Sequence, residues 1–169
     1  LAAQDDPALR VWQPVFERAG IPLALHADLR PLQWGKLLLN LNNPVNALSR
    51  LPLRAQLLDA GDRRVRAALV REALATMKAA RIRPARVGAA PPTLLPAILS
   101  LPTPLFRVVA ARMLRVDAQA SSSMADDVAA GRPTEIGARA GSEKSLAESV
   151  GRRAPLTERS EELPAEPTA

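Results

Sequence analysis

The chain has 169 residues, which is long enough for one domain with its own core. It is 47% hydrophobic and 24% charged, a composition typical of a globular domain. The chain has no cysteine, which excludes disulfides and thiolate chemistry and fits a reducing cytoplasm. Its single histidine, His26, leaves no histidine cluster that could bind zinc. The net charge of +6 would suit nucleic acid or an anionic membrane, but the arginines are dispersed and only 2% of residues are aromatic, so we expect neither partner.

The first 30 residues predict one helix followed by one strand. In "DDPALRVWQPVFERAG", Asp6 can cap a helix, Pro7 occupies its first turn and Gly20 can end it. The segment "IPLALHADL", residues 21–29, alternates enough to predict a strand. One helix and one strand cannot form a domain, so residues 1–30 are a separate unit before the main domain.

From residue 31 the pattern is helical. The segment "LQWGKLLLNLNN" predicts one helix, with a break or kink at Pro44. The next, "LRAQLLDAG", predicts a short helix that stops at Gly61. The longest helix is predicted for "DRRVRAALVREALATMKAARI". Its apolar face is predicted to comprise Val65, Ala68, Leu69, Ala73 and Met77.

Shorter helices are predicted after the loop "RPARVGAAPP". They are "TLLPAILSLP", "TPLFRVVAARML", a capped turn in "SSSMADDVAAG" and a helix that opens in "RPTEIGARAG". Apolar density falls from Gly137 onward, and residues 158–169 have the composition of a disordered tail. The pattern therefore predicts a mostly α-helical domain over residues 31–157.

One polar group stands out in the helix before Pro44. If that helix is continuous, Lys36, Asn40 and Asn43 lie on one face, because positions i, i+4 and i+7 share a side of a helix. An ammonium in a partly apolar cleft can donate a proton to a carbonyl oxygen, and carboxamides can fix a hydroxyl or carboxylate of a small ligand. In the structural alternative, Lys36 extends to water and the asparagines cap or bend the chain. The residues alone leave both interpretations open.

A second polar group lies near the end of the domain. Ser123 and Asp126 have the spacing of a capping box, with Asp in place of Glu, and Glu135 suits the start of a helix. A structural role explains each of these residues. The functional alternative is that Ser123 and Glu135 face a ligand.

Together the two groups resemble a known family. The stretches "WGKLLLN" and "NPVNAL", followed about 75 residues later by "SSMADD" and "GRPTEI", resemble the C-terminal helical domain of the ketopantoate reductase (2-dehydropantoate 2-reductase) family. The resemblance runs from about Leu29 to Ile136. It implies an all-helical fold of the 6-phosphogluconate dehydrogenase C-terminal-like type, preceded in residues 1–30 by a remnant of a Rossmann nucleotide-binding domain.

The resemblance also implies an activity and its residues. The family reduces 2-dehydropantoate to pantoate with NADPH, in pantothenate and coenzyme A biosynthesis; a related 2-oxo acid is equally compatible. Lys36 would be the general acid, and Asn40 and Asn43 would contact the substrate. Ser123 would hold the substrate carboxylate or hydroxyl, and Glu135 would bind the cofactor ribose. The implied partners are the 2-oxo acid and a nucleotide-binding domain in cis or in trans, and a homodimer is left open.

The sequence also departs from the family's pattern. It contains no glycine-rich phosphate loop. Gly137 stands where the family has Asp, Ala140 stands where it has Asn, and residues 142–144 are polar where it is apolar. The alternative prediction is therefore a truncated, inactive helical remnant that acts as an interaction or dimerisation module. It would expose apolar surface where the nucleotide-binding domain packs.

Overall fold

The computed structural model describes residues 7–115, 120–130 and 136–161. These residues are mostly helical, which confirms the predicted helical domain but not the Rossmann remnant before it. None of the described helices could span a membrane. The α-helices of this part of the chain, with a 3₁₀ turn at Pro92–Leu94 before α6, are α1 (Pro7–Arg18), α2 (Arg30–Asn40), α3 (Asn42–Ser49), α4 (Leu53–Leu58), α5 (Ala60–Ala79), α6 (Leu95–Leu99), α7 (Thr103–Val109), α8 (Ser123–Ala129), α9 (Ile136–Ser149) and α10 (Pro155–Glu161).

The longest helix, α5, is central and packs against α3, α4, α6, α9 and α10. Ala67 and Ala73 are fully buried on it, and their small side chains let the neighbouring helices approach closely. Leu38 of α2, Leu99 of α6 and Phe106 of α7 surround this face, and each is at most 1% exposed. The core therefore lies along α5; α3 packs directly on α5, and α8 packs on α3.

The face predicted for α5 is only partly correct. Met77 is buried as predicted, whereas Val65 is 55% exposed and Ala68 is half-buried. Two arginines, Arg63 and Arg66, are instead buried among the apolar residues. Arginine is almost never fully buried unless it is paired, so hydrophobic periodicity placed the buried face of the first half of the helix on the wrong side.

Arg63 can be buried because its side chain forms hydrogen bonds at the ends of α4 and α6 and at the start of α7. Its side chain is 2% exposed and its guanidinium lies 4.5 Å from the centroid of the Phe106 ring. It donates hydrogen bonds of 2.9–3.2 Å to the carbonyl oxygens of Leu57, Leu58, Leu99 and Leu101 and to the hydroxyl of Thr103. Carbonyl groups at helix ends lack intrahelical partners, so this one cation satisfies the ends of α4 and α6 together.

The predicted helix stop at Gly61 is wrong, since the break comes earlier. Helix α4 ends at Leu58, and the extended residue Asp59 caps α5 by accepting a 2.8 Å hydrogen bond from the backbone N–H of Asp62. Gly61 lies inside the first turn of α5, where a Cβ would come within 2.9 Å of the Asp59 carboxylate. This glycine makes room for a helix cap and does not end a helix.

At the N-terminus the helix is confirmed and the strand is not. Helix α1 ends at Arg18, and Gly20 follows with φ of +74°, a left-handed conformation typical of a residue after a helix. Asp6, the predicted cap, lies outside the described residues. The strand predicted for residues 21–29 is wrong: the described part of the chain contains no strand with which this segment could form a ladder.

At the C-terminus α9 and α10 pack on each other and on α5. The carboxylate of Glu72 accepts hydrogen bonds from the backbone N–H groups of Leu156 and Thr157, at 3.1 and 3.0 Å, and from the Thr157 hydroxyl. It thereby satisfies the first turn of α10 from a different helix. Helix α10 extends through Glu161, into the first residues of the segment that we predicted as a tail. The remainder of that tail lies outside the described residues.

Candidate functional site

The glycine before Lys36 allows a loop to lie directly against α2. A Cβ on Gly35 would collide with the carbonyl oxygen of Ala85 and lie 2.8 Å from the Val87 side chain. The same loop is fixed by a 2.8 Å hydrogen bond from the N–H of Ala85 to the carbonyl of Pro31. Lys36 itself is exposed, so the described residues do not form a partly apolar cleft around its ammonium.

The three residues expected on one helix face are divided between two helices. Lys36 and Asn40 lie on α2, which ends at Asn40, and Asn43 lies in the first turn of α3. The break expected at Pro44 is present but comes at Leu41. Proline has no N–H, so in the first turn of α3 it costs no hydrogen bond, whereas a continuous helix would need one there. Asn40 and Asn43 are both half-buried. Because a helix break separates Asn43 from Lys36, their i, i+7 spacing does not place the two side chains on one helix face.

Another asparagine of this stretch is part of the interior. Asn42 is 7% exposed and Gln56, on α4, is 1% exposed. Their carboxamides form a reciprocal pair, with each NH₂ group donating to the other oxygen at 3.1 Å. Buried amides of this kind need partners, and the pair satisfies both while it connects α3 to α4.

Asn46 brings the two polar motifs together. It is fully buried, its Nδ2 donates to the carbonyl oxygen of Leu51 at 2.8 Å, and its Oδ1 accepts from the backbone N–H of Ser122 at 2.9 Å. Beside it, the N–H of Leu53 donates to the carbonyl oxygen of Ala120 at 2.8 Å. The segment that carries the second motif is therefore fixed against α3 and the start of α4.

Helix α8 begins with a different cap from the predicted one. The hydroxyl of Ser122, which is 7% exposed, accepts a 3.2 Å hydrogen bond from the N–H of Ala125 and so occupies the capping position that we predicted for Ser123. Ser123 is released from that role and is exposed as the first residue of α8. Glu135, the predicted contact to the cofactor, lies outside the described residues.

Shifted pKa values are found on α5. Burial raises the pKa of Asp62, and the neighbouring negative charge of Asp59 adds to the effect. Burial lowers the pKa of Arg66 to about 10. One atom of each side chain, Asp62 Oδ2 and Arg66 Nε, is buried without a hydrogen-bond partner in the described structure. No group of three His, Asp or Glu side chains among the described residues could hold a metal ion.

Gly35 and Asn46, which hold neighbouring segments in place, were not predicted from the sequence to have a role. Asn46 stands between Val45 and Ala47, and all three are buried. A carboxamide with apolar residues on both sides indicates a buried, fully bonded amide, and this pattern could have identified it. Gly35 lies inside a helix, where glycine is unfavourable, so a close approach of backbone could have been inferred there.

Comparison with protein-family models places the chain. Residues 28–161 match the model described as ketopantoate reductase PanE/ApbA C terminal. The chain belongs to this family. The match includes both polar motifs and ends with α10, and it confirms the helical domain expected from the resemblance. The ketopantoate reductase family is one of oxidoreductases, so the domain is ketopantoate reductase-like. No curated protein and no solved structure matches the chain.

Proposed function

We propose that this chain is the substrate-binding, proton-donating half of an NADPH-dependent reductase that converts 2-dehydropantoate, or a related 2-oxo acid, to its 2-hydroxy acid. The observation that carries the proposal is the hydrogen bond from Ser122 to Asn46, because it joins the segments of both family motifs at one junction. Membership of the ketopantoate reductase family supports the same activity. A cytoplasmic location accompanies this proposal.

The proposed chemistry assigns one task to each motif residue. Reduction of the ketone adds a hydride to the carbonyl carbon and a proton to the carbonyl oxygen. Lys36 donates that proton, and its exposure on α2 leaves the ammonium open to a substrate. The amides of Asn40 and Asn43 bind polar groups of the substrate, and the exposed hydroxyl of Ser123 binds its carboxylate or hydroxyl.

The cofactor, which would supply the hydride, does not fit this chain alone. The sequence has no glycine-rich loop for the phosphates. Glu135 is proposed to hold the ribose, but one carboxylate does not make a dinucleotide site. We therefore propose that a nucleotide-binding domain acts with this chain in cis or in trans. The apolar face of α1, where Val11 is 70% and Trp12 is 54% exposed, supports a packing partner of this kind.

The test is NADPH oxidation with ketopantoate, measured on this chain and on a version extended upstream through a nucleotide-binding frame. We expect turnover from the extended protein and a loss of about 100-fold or more in Lys36→Ala, which lacks the general acid. Lys78→Ala, an exposed lysine on α5, is the matched control and should keep the rate. A folded extended protein that binds NADPH but reduces neither ketopantoate nor other 2-oxo acids would show that the proposal is wrong.

The second candidate is the inactive helical interaction module, and the observation that favours it is also on α1. Val11, Trp12, Val15 and Phe16 are 37–70% exposed and α1 has no buried residue. Such a face favours association with another apolar surface. The module is supported if the chain self-associates in sedimentation experiments, Trp12→Glu abolishes the association, and neither NADPH nor ketopantoate binds. A monomeric chain at high concentration would contradict it.

A further inference from the structure

We infer that a groove between α3, α5 and α10 binds a small amphipathic anion, namely a linear carboxylate with an apolar chain. The groove has a volume of about 400 Å³. This lies within the range of sites that enclose small molecules. The site is separate from the one in the reductase proposal, because none of Lys36, Asn40, Asn43 and Ser123 is among the described residues that line the groove.

The apolar chain of the proposed ligand is inferred from the residues that line the groove. Leu48 of α3, Val65 of α5 and Leu156 of α10 are 50%, 55% and 41% exposed, and all three line the same concave surface. Val45 and Leu69, which are buried, complete the lining between them. Single exposed apolar residues are ordinary, but three from three helices around one groove form a contiguous apolar patch, which marks a binding surface.

The negative charge of the proposed ligand is inferred from two arginines. Arg64 of α5 and Arg159 of α10 line the groove, both are exposed, and none of the described lining residues is acidic. The Arg64 Nε donates to the carbonyl oxygen of Ala60 at 3.2 Å, and this bond uses one of the five N–H donors of the guanidinium. A carboxylate is the complement of two guanidinium groups beside an apolar surface.

The groove is part of the fold and does not depend on a ligand for its shape. Its third wall, α10, is held to α5 by the three hydrogen bonds that Glu72 accepts from Leu156 and Thr157. The carboxylate of Glu72 is thus engaged by α10, and Glu158 of α10 forms an ion pair with Arg153 at 3.8 Å. A preformed apolar groove bordered by two cations favours a single-chain anionic amphiphile over a neutral or cationic one.

The experiment is a titration of the ¹⁵N-labelled chain with decanoate below its micelle concentration, followed by amide chemical shifts. We expect saturable shifts at Leu48, Val65 and Leu156, and weaker binding of 1-decanol and of decyltrimethylammonium. The double variant Arg64→Gln, Arg159→Gln should bind decanoate about tenfold more weakly, with little change for decanol. Val65→Trp, which fills the groove, should abolish binding, whereas Val108→Trp on the exposed face of α7, where Val108 is 77% exposed, should not.

Three results would overturn the inference. Shifts that do not saturate, or that spread over the whole surface, mean that there is no site. Equal affinity for decanoate and decanol, unchanged in the double arginine variant, means that the groove does not select an anion. Equal effects of Val65→Trp and Val108→Trp mean that the ligand binds elsewhere.

Discussion

Asn46 and Ser122 stand 76 positions apart in the sequence, yet the backbone N–H of Ser122 donates a 2.9 Å hydrogen bond to Asn46 Oδ1. The other end of the same amide donates to the carbonyl of Leu51 at 2.8 Å, and no part of the Asn46 side chain reaches solvent. Asn46, for which the sequence predicted no role, therefore connects the two segments that carry the polar motifs.

Asn46→Ala should lower the free energy of unfolding by about 1–3 kcal/mol, because it leaves the buried N–H of Ser122 without its acceptor and removes the donor to the carbonyl of Leu51. Urea denaturation followed by circular dichroism measures the loss. Asn43→Ala is the matched control: Asn43 is half-buried in the same helix, and its loss should stay below about 0.5 kcal/mol. Equal losses in the two variants would contradict the role given to Asn46.

The two buried arginines of α5 should respond in opposite ways to substitution. Arg63→Met should lower the free energy of unfolding by about 3 kcal/mol or more, because four backbone carbonyls and the Thr103 hydroxyl lose their donor. Arg66→Met should be neutral or stabilising by about 1 kcal/mol, since it removes a charge whose Nε has no partner in the described structure. Chemical denaturation of both variants tests this. Comparable losses would show that Arg66 has a stabilising contact.

Gly35→Ala should destabilise the fold by about 1–3 kcal/mol, because the added Cβ displaces the backbone at Ala85 from α2. Gly141→Ala is the matched control on α9, where no described atom lies within 4 Å of the added carbon, and it should raise stability by up to about 1 kcal/mol. Thermal unfolding of the two variants gives opposite shifts if this account of Gly35 is correct. A neutral Gly35→Ala would mean that the loop moves without cost.

Glu72→Gln should lower the free energy of unfolding by about 1–2 kcal/mol, because the amide keeps one acceptor oxygen for three donors and loses the charge that strengthens each bond. Hydrogen exchange localises the effect: we expect faster exchange at the amides of Leu156 and Thr157, with little change on α6. Glu148→Gln, an exposed residue of α9, serves as the control. Unchanged protection of α10 would show that other contacts hold this helix.

The sequence by itself determined the features of this protein that arise from neighbouring residues. Apolar spacing gave a mostly helical chain, Gly20 marked the end of α1, and Pro44 marked the break between α2 and α3. The order of short motifs led to the ketopantoate reductase family, which the match over 28–161 confirms. These features can be predicted from the sequence because helix periodicity, caps and family motifs each depend on a few consecutive positions.

Only the tertiary structure decided which polar residues are structural. It buried Asn46 against Ser122, bonded Arg63 to a hydroxyl 40 residues away, and used Glu72 to anchor a helix 85 residues away. Within the described residues it also left residues 21–29 without a strand partner. The physical reason is the same in each case: a buried polar group is stable only with a partner, and when that partner lies on a distant segment, the local pattern contains no information about it.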